Sequence, residues 1–329
     1  MVAKKVFRNH LVNLIIASLF TLGFVAFEFW DHYIPPAVLD RNKSEISRIK
    51  VDPTDFCFAA FGDHKGHDAC FEPLLRDVDH DKQIAFAIEL GDSLREGRRW
   101  FYRRFLNQIE KGLSIPFLAV IGNNDLYRGS TNYRGIFGPT YYSFEIGRNY
   151  FIILDTSARF QFDKAQRQWL EAELQKSQAS RVRLVFMHVP PFDPRGPGFV
   201  KCLSEKDGKD LLNLFRRYHV THLFAAHIHG YFSGLKEGVP YTITGGAGGG
   251  LHGKDPKHFF HHYIKVHVSG DEVGIEVKRI DRKARVMDLF SFMKDYGPEW
   301  GLFTGLLISL FTLGLSITKD YRKSKGKPV

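Results

Sequence analysis

Sulfur is scarce in this chain of 329 residues, which has three Cys and four Met. Three is an odd number, so in an oxidising compartment at most one disulfide forms and one thiol is left over. Cys70 with Cys202 is the one pairing worth considering, and the fold does not need it; Cys57 lies in an apolar run and reads as buried. There is no Gly-x-Ser-x-Gly elbow, no Walker-type Gly-Lys-Ser/Thr loop and no Cys-x-x-Cys pair, so the usual marks of serine hydrolases, P-loop enzymes and dithiol or zinc-thiolate sites are missing. No repeat appears at a period of roughly 20–50 residues, which excludes solenoids and propellers. A strong excess of one charge is also missing from the middle of the chain. Lys and Arg number 46 against 36 Asp and Glu, a net +10, but Lys4, Lys5 and Arg8 contribute three of these charges. Lys319, Arg322, Lys323, Lys325 and Lys327, less Asp320, contribute four more. The centre is close to balanced, and no nucleic-acid partner is expected.

What is present is apolar and aromatic. Hydrophobic residues make up 44% and charged residues 25%, ordinary for a globular chain, and Phe alone occurs 30 times. Such a length suggests one catalytic-sized domain of roughly 200–250 residues with extensions. The extensions are residues 11–30, whose only strongly polar members are Asn13 and Glu28, and 299–318, uncharged from Trp300 to Ile317. About 20 apolar helical residues cover a hydrocarbon thickness of ~30 Å. Trp30 and Trp300 mark the ends nearest the central domain, where an amphipathic ring suits a membrane interface. Buried core helices are the alternative, and for the first segment a cleaved signal peptide, weakened by its length and the lack of a clear small-x-small site. Basic flanks stay on the cytoplasmic side, so the tails 1–10 and 319–329 are expected in the cytoplasm and the region between the spans outside the membrane. The expectation is a cell-membrane protein with two spans.

Residues 31–54 read as a linker or juxtamembrane helix, 55–281 as the functional domain, and 282–298 as an amphipathic helix carrying Val286, Leu289, Phe290, Met293 and Tyr296. Inside the domain, β-branched and aromatic runs at 56–61, 84–90, 116–121, 150–155, 183–189, 221–226, 241–244, 263–268 and 273–279 predict strands. Helical stretches such as RWFYRRFLNQIEKG and KAQRQWLEAELQKS separate them. The alternation predicts an α/β domain with a mostly parallel sheet that gives way to antiparallel strands near its end.

The chemistry lies at the strand ends. Successive strands close on Gly62-Asp63, Gly91-Asp92, Gly122-Asn123-Asn124-Asp125, His188 and His227-Ile228-His229. Ligand sites of α/β sheets lie at this carboxyl edge, and a Gly before each Asp or Asn lets the chain turn and aim the side chain inward. Carboxylate and amide oxygens mixed with imidazoles, without thiolate, suit Mn²⁺, Fe or Zn²⁺. Two such ions about 3.5–4 Å apart form a clamp for phosphate-ester hydrolysis.

In this order the residues resemble the calcineurin-like metallophosphoesterases, whose pattern is D-x-H, GD, GNH(D/E), H and GHxH. The resemblance runs from about Phe56 to Arg279 and includes TYYSFEIG, FIILDTS, QWLEAEL and TGGAGGGL. It implies a layered β-sandwich flanked by helices, here with one transmembrane helix at each end. It also implies one or two divalent metal ions and hydrolysis of phosphate mono- or diesters or phosphoanhydrides by a metal-bound hydroxide. Carried over by position, Asp92 bridges the ions, Asn123, His188 and His227 complete one, and Asp63 and His229 hold the other.

Three positions depart from the pattern: Lys65 stands where a His ligand is expected, Asn124 where a His assists the leaving group or phosphate, and Ala226 for a Gly. Lys65 and Asn124 are therefore read as substrate-phosphate contacts, and the ion beside Lys65 is expected to bind weakly. His64, His67 and His252 are candidates for a substitute ligand or proton donor. The first reading is an active phosphoesterase for a phosphorylated small-molecule or lipid-linked substrate. The alternative is a catalytically impaired binding or scaffold protein on the same fold.

Overall fold

The computed structural model describes residues 2–34, 36, 39–158, 162–196, 198–281 and 286–325. They divide into two units, one comprising residues 1–34 and 292–329 and the other residues 35–291.

The first unit is built from helix α1 (Val2–Tyr33) and most of a long terminal helix, numbered α8 below (Val286–Lys325). Both are apolar around most of their circumference, as the low polarity of their sequences dictates, and only 6% of the residues in either apolar window are buried. That level does not describe the core helices of a water-soluble domain, which are enclosed. Leu19, Leu22 and Phe311 are among the large side chains left outward-facing. The two helices meet where small residues admit large ones: Phe24 and Phe303 lie 6.2 Å apart, and the Phe20 ring fills the space that a side chain at Gly305 would need. The terminal helix is continuous through Pro298, and residues 282–285, the start of the expected amphipathic segment, lie outside the described residues.

The second unit begins with α2 (Arg41–Arg48), inside the segment read as a linker. The chain continues through β1 (Asp55–Phe61), α3 (Asp68–His80), β2 (Ile84–Glu89), α4 (Arg99–Gly112), β3 (Phe117–Ala119) and α5 (Thr131–Phe137). Next come β4 (Tyr142–Ile146), β5 (Asn149–Ile153), α6 (Lys164–Lys176), β6 (Val182–Phe186), α7 (Glu205–Arg217) and β7 (His222–Ala225). It ends with β8 (Tyr231–Lys236), β9 (Val239–Thr244), β10 (His262–Ser269) and β11 (Glu272–Arg279), and α8 follows.

These strands form two sheets, the layered sandwich that the family resemblance implies, where the strand–helix alternation by itself predicts one. One has the order β11-β10-β1-β2-β3 and the other β4-β5-β6-β7-β9-β8. The first has parallel strands β1-β2-β3 at one side and antiparallel β10 and β11 at the other, and the second has a parallel centre β5-β6-β7-β9 flanked by antiparallel β4 and β8. Hydrophobic patterning marks which face of a strand is buried but not which sheet covers it, so the division followed from the motif resemblance and not from the patterning. The same limit hid β4 and β8, short strands whose outer residues are exposed.

Phenylalanine closes the sandwich. Phe58 on β1 stacks on Phe86 at 5.1 Å and meets Phe151, Phe186 and Phe224 of the opposite sheet at 5.9, 5.9 and 6.2 Å, three edge-on contacts. A second apolar layer puts Leu170, Leu174, Leu211 and Phe215 of α6 and α7 against the outer face of the six-stranded sheet. Asn42 of α2 caps the edge strand β3 by imitating a neighbouring strand. Its Oδ1 accepts the Ala119 N–H at 2.9 Å and its Nδ2 donates to the Ala119 carbonyl at 3.1 Å. All three cysteines are free thiols, Cys57 and Cys70 buried, so the Cys70–Cys202 pairing is absent.

Candidate metal centre

The parallel strands of both sheets deliver their carboxyl ends to one edge. Asp63 follows β1, Asp92 follows β2, Asn123 follows β3, His188 follows β6, and His227 and His229 follow β7. Three of these residues adopt left-handed backbone themselves, with φ of 64° at Asp63, 55° at Asp92 and 65° at His227. Such conformations cost energy in non-glycine residues and concentrate where side chains must be aimed. The expectation that the preceding glycines provide the turns is corrected here. Only Gly91, at φ 88°, has that conformation. Gly122 is needed for room, because a Cβ there would lie 2.0 Å from the Asp92 nitrogen. The two sheets are tied across the site by Asp63, whose Oδ2 accepts the His227 N–H at 2.7 Å.

Asp92 is fully buried, and its two oxygens face different partners. Oδ1 accepts the Asn124 N–H at 2.7 Å and lies 3.3 Å from His188 Nε2, while Oδ2 lies 2.9 Å from Lys65 Nζ. Burial opposes its charge, but His188 and Lys65 outweigh that and hold the carboxyl far below the usual range. Asp125 fixes the loop that carries Asp92. Its carboxylate accepts the N–H groups of Gly122, Asp92 and Leu94 at 2.8, 2.9 and 3.1 Å. The last position of the GNH(D/E) pattern pointed to this residue, although no role was assigned to it from sequence.

His188 lies at the middle of the cluster. Its Nδ1–H donates to the Leu90 carbonyl at 2.8 Å, so Nε2 bears the lone pair of the neutral ring. Around Nε2 lie Asn123 Oδ1 at 3.1 Å, His227 Nδ1 at 3.2 Å and Asp92 Oδ1 at 3.3 Å. The side-chain oxygens of Asn123 and Asp92 face the Nε2 lone pair of a neutral His188, an arrangement that a shared cation would satisfy. A proton serves when nothing else does: burial disfavours charge on His188, yet Asp92 and Asp63 push it up to about 9. Burial and then His188 push the adjacent His227 down to about 3, so one proton serves the pair. Among the described residues, Asp92, His188 and His227 form the one group of three or more His, Cys, Asp or Glu whose ligand atoms lie within 4.8 Å of one another. With Asn123, this donor set fits a borderline divalent ion.

Asp63 and His229 form a second, smaller cluster. His229 Nδ1–H donates to the Gly250 carbonyl at 2.6 Å, turning Nε2 toward Asp63 Oδ1 at 3.2 Å. The Gly-rich run wraps this pair, and a Cβ at Gly249 would lie 2.7 Å from the Asp63 carbonyl oxygen.

The three extra histidines part ways. His64 is fully buried with its ring stacked on Phe71 at 3.7 Å and Nδ1 on Glu89 Oε1 at 2.9 Å, so it lines the helix side of the sheet and not the centre. His67 is half-buried at the start of α3, with its Cβ beside Gly248. His252 joins the centre as a support. It stacks on His229 at 3.9 Å, its Nδ1 accepts the His229 N–H at 3.0 Å, and its Nε2 lies 3.0 Å from Lys201 Nζ. Asn124 stands beside Asp92, its side-chain oxygen accepting from Asn123 Nδ2 at 2.6 Å and its Nδ2 donating to the Arg95 carbonyl at 3.4 Å. Glu89 and Lys201 were not singled out from sequence. A Glu ending the otherwise apolar strand IAFAIE was a signal for the first, whereas Lys201 sits in a loop without one.

Comparison with known proteins agrees with this construction. A family model described as calcineurin-like phosphoesterase matches residues 57–231. Among curated protein sequences, none matches the chain. Of solved structures, a purple acid phosphatase from yellow lupin (Lupinus luteus) seeds superposes with a TM-score of 0.54 at 17% identity, over 68% of this chain and 51% of that one. The chain thus spans about half of the lupin enzyme. A dimetal phosphatase from Danio rerio superposes with a TM-score of 0.52 at 18% identity, over 69% of this chain and 97% of that one. GAP50, the anchor in the inner membrane complex of Plasmodium, gives 0.51 at 17% identity, over 74% and 95%. At these identities the likeness is one of fold.

Proposed function

The chain belongs to the calcineurin-like phosphoesterases, and on that premise we propose that it is a membrane-anchored, extracytoplasmic phosphoesterase that depends on a divalent metal ion. The observation that carries the reading is the convergence of Asp92, Asn123, His188 and His227 on one point, with atoms able to ligate a metal 3.1–3.3 Å from His188 Nε2. These four residues would hold the ion. When bound, it supplies Lewis-acid stabilisation of a phosphoryl oxygen and a nucleophile at neutral pH.

The chain's own groups do the rest. The Leu90 carbonyl fixes the His188 tautomer, and the Asn124 N–H and the Asp125 carboxylate hold Asp92 in its strained conformation. Lys65, three-quarters enclosed, presents positive charge at the outer oxygen of Asp92, where a phosphate group enters. The Asn124 side chain offers an amide hydrogen bond to the same phosphate. The reaction class is hydrolysis of a phosphate monoester, diester or anhydride, with small-molecule and lipid-linked substrates both suiting the site.

Membrane anchoring is supported by the candidate spans His10–Tyr33 and Leu289–Leu315. The basic flanks Lys4–Arg8 and Lys319–Lys327 support an orientation with both termini in the cytoplasm. Retention of the spans also fits a second reading, a non-catalytic anchor or binding module, which Lys65 and Asn124 in place of histidines favour.

Two experiments test the proposal. The full-length protein in detergent should hydrolyse an aryl phosphate with Mn²⁺, and Asp92→Ala should abolish the activity; no activity in the parent supports the anchor reading instead. Protease added to spheroplasts of an expressing bacterium should digest the central unit and spare a C-terminal tag, and a protected central unit reverses the topology.

A further inference from the structure

We propose that the Lys65 ammonium takes the place of a second metal ion, so that the working centre holds one divalent ion and one built-in cation. The inference rests on the phosphoesterase reading above and is tested separately from it.

The bridging carboxylate shows the division. Asp92 Oδ1 faces the complete donor set, 3.3 Å from His188 Nε2, whereas Oδ2 faces Lys65 Nζ at 2.9 Å. Lys65 is placed there by the backbone and not by a long reach. Its own N–H donates to the Asp92 carbonyl at 3.1 Å, its φ is 48°, and Gly66 follows at 64°. Two successive left-handed residues fold the loop back over Asp92, and the lysine side chain is only 24% exposed. The remaining donors of this half are Asp63 Oδ1 and His229 Nε2, 3.2 Å apart. They fall outside the one group of three ligand atoms that lie within 4.8 Å of one another among the described residues. A dication added here would share Asp92 Oδ2 with an ammonium and be repelled by it.

An ammonium and a dication are not equivalent in this position. Lysine provides a point charge and three donors, one of them directed at Asp92 Oδ2, so the others can bind and stabilise an anionic phosphate. It cannot lower the pKa of a coordinated water as a metal does. The nucleophile must then come from the side of the complete donor set, and Lys65 acts on the phosphate alone.

The test uses the full-length protein in detergent, stripped with a chelator, reloaded with Mn²⁺ and desalted, with metal content and the electron paramagnetic resonance spectrum as readouts. The parent should retain about one ion per chain and show the hyperfine sextet of an isolated Mn²⁺. Lys65→His, which restores a ligand, should retain about two and show an exchange-coupled spectrum. Lys65→Met, which removes charge and adds no ligand, should keep the single ion and bind inorganic phosphate about tenfold more weakly. Two ions or a coupled spectrum in the parent overturns the proposal. So does a Lys65→His protein that stays at one ion, or a Lys65→Met protein that binds phosphate as the parent does. A parent that retains no ion at all overturns the phosphoesterase reading itself, and this inference with it.

Discussion

Replacing Asn124 by His should change which substrates turn over, and the structure sets the size of the effect. An amide N–H is too weak an acid to protonate a departing alkoxide. Asn124 is further committed, with its oxygen on Asn123 Nδ2 at 2.6 Å and its backbone N–H on Asp92 at 2.7 Å. Two of the three imidazoles that could act instead are unsuited. His64 is fully buried between Phe71 and Glu89 on the helix side of the sheet. His252 accepts the His229 N–H on one nitrogen and faces Lys201 with the other, and burial followed by His229 pushes it down to about 3, so it is a neutral ring at working pH. His67 is the remaining one. General-acid assistance is typically worth 10²–10⁴-fold, about 3–5 kcal/mol of barrier. A leaving group of low pKa does not need it. The assay is kcat/KM over aryl to alkyl phosphates of graded leaving-group pKa, for the parent, Asn124→His and His67→Ala. The parent should fall steeply as leaving-group pKa rises. Asn124→His should recover alkyl esters by roughly 10² or more and leave aryl esters nearly unchanged. His67→Ala should follow the parent. A parent whose rate does not depend on leaving-group pKa refutes the reasoning, and selective loss of alkyl-ester activity in His67→Ala assigns the proton to His67.

Phe58→Ala should cost about 3–5 kcal/mol in urea denaturation, because the ring is wholly enclosed between the sheets and touches four other phenylalanines; a loss below about 1 kcal/mol would show that the sandwich collapses to fill the space. Asn42→Leu should cost about 1–3 kcal/mol, since the Ala119 N–H loses its partner while the Ala119 carbonyl keeps the Tyr133 hydroxyl at 2.6 Å. An unchanged stability would mean that α2 does not cap the sheet edge. Acid should destabilise the domain before its carboxylates titrate. His222 and His262 are buried on Thr242 and Thr244 hydroxyls, and burial pushes both down to about 4. The unfolded chain takes up these protons near pH 6.5. Stability is therefore full above about 6.5 and declines as pH falls toward 4. Melting curves across that window should show the decline, and His222→Gln with His262→Gln should flatten it.

Much of this protein follows from residue order alone. Each predicted strand is present, because short β-branched and aromatic runs bounded by glycine and acid have few other ways to bury themselves. The residues that gather at the sheet edge were legible for a related reason. A strand that ends in Gly-Asp, Gly-Asn or a lone His leaves a polar group at the carboxyl end of a buried element, and the order of five such ends is a pattern no single one provides. Two apolar segments were legible from length and composition. What the sequence could not determine is direction. Asp63, His64 and Lys65 are consecutive, yet the first turns to His227 and His229, the second to Phe71 and Glu89, and the third back onto Asp92. Those directions depend on left-handed backbone at Asp63 and Lys65, which residue type does not announce and which only the surrounding packing can hold in place. The Asn42 cap on β3 and the meeting of Lys65 with Asp92 are long-range contacts of the same kind: each joins groups whose separation in sequence carries no signal, and the tertiary structure decides them by shape and by the need of every buried polar atom for a partner.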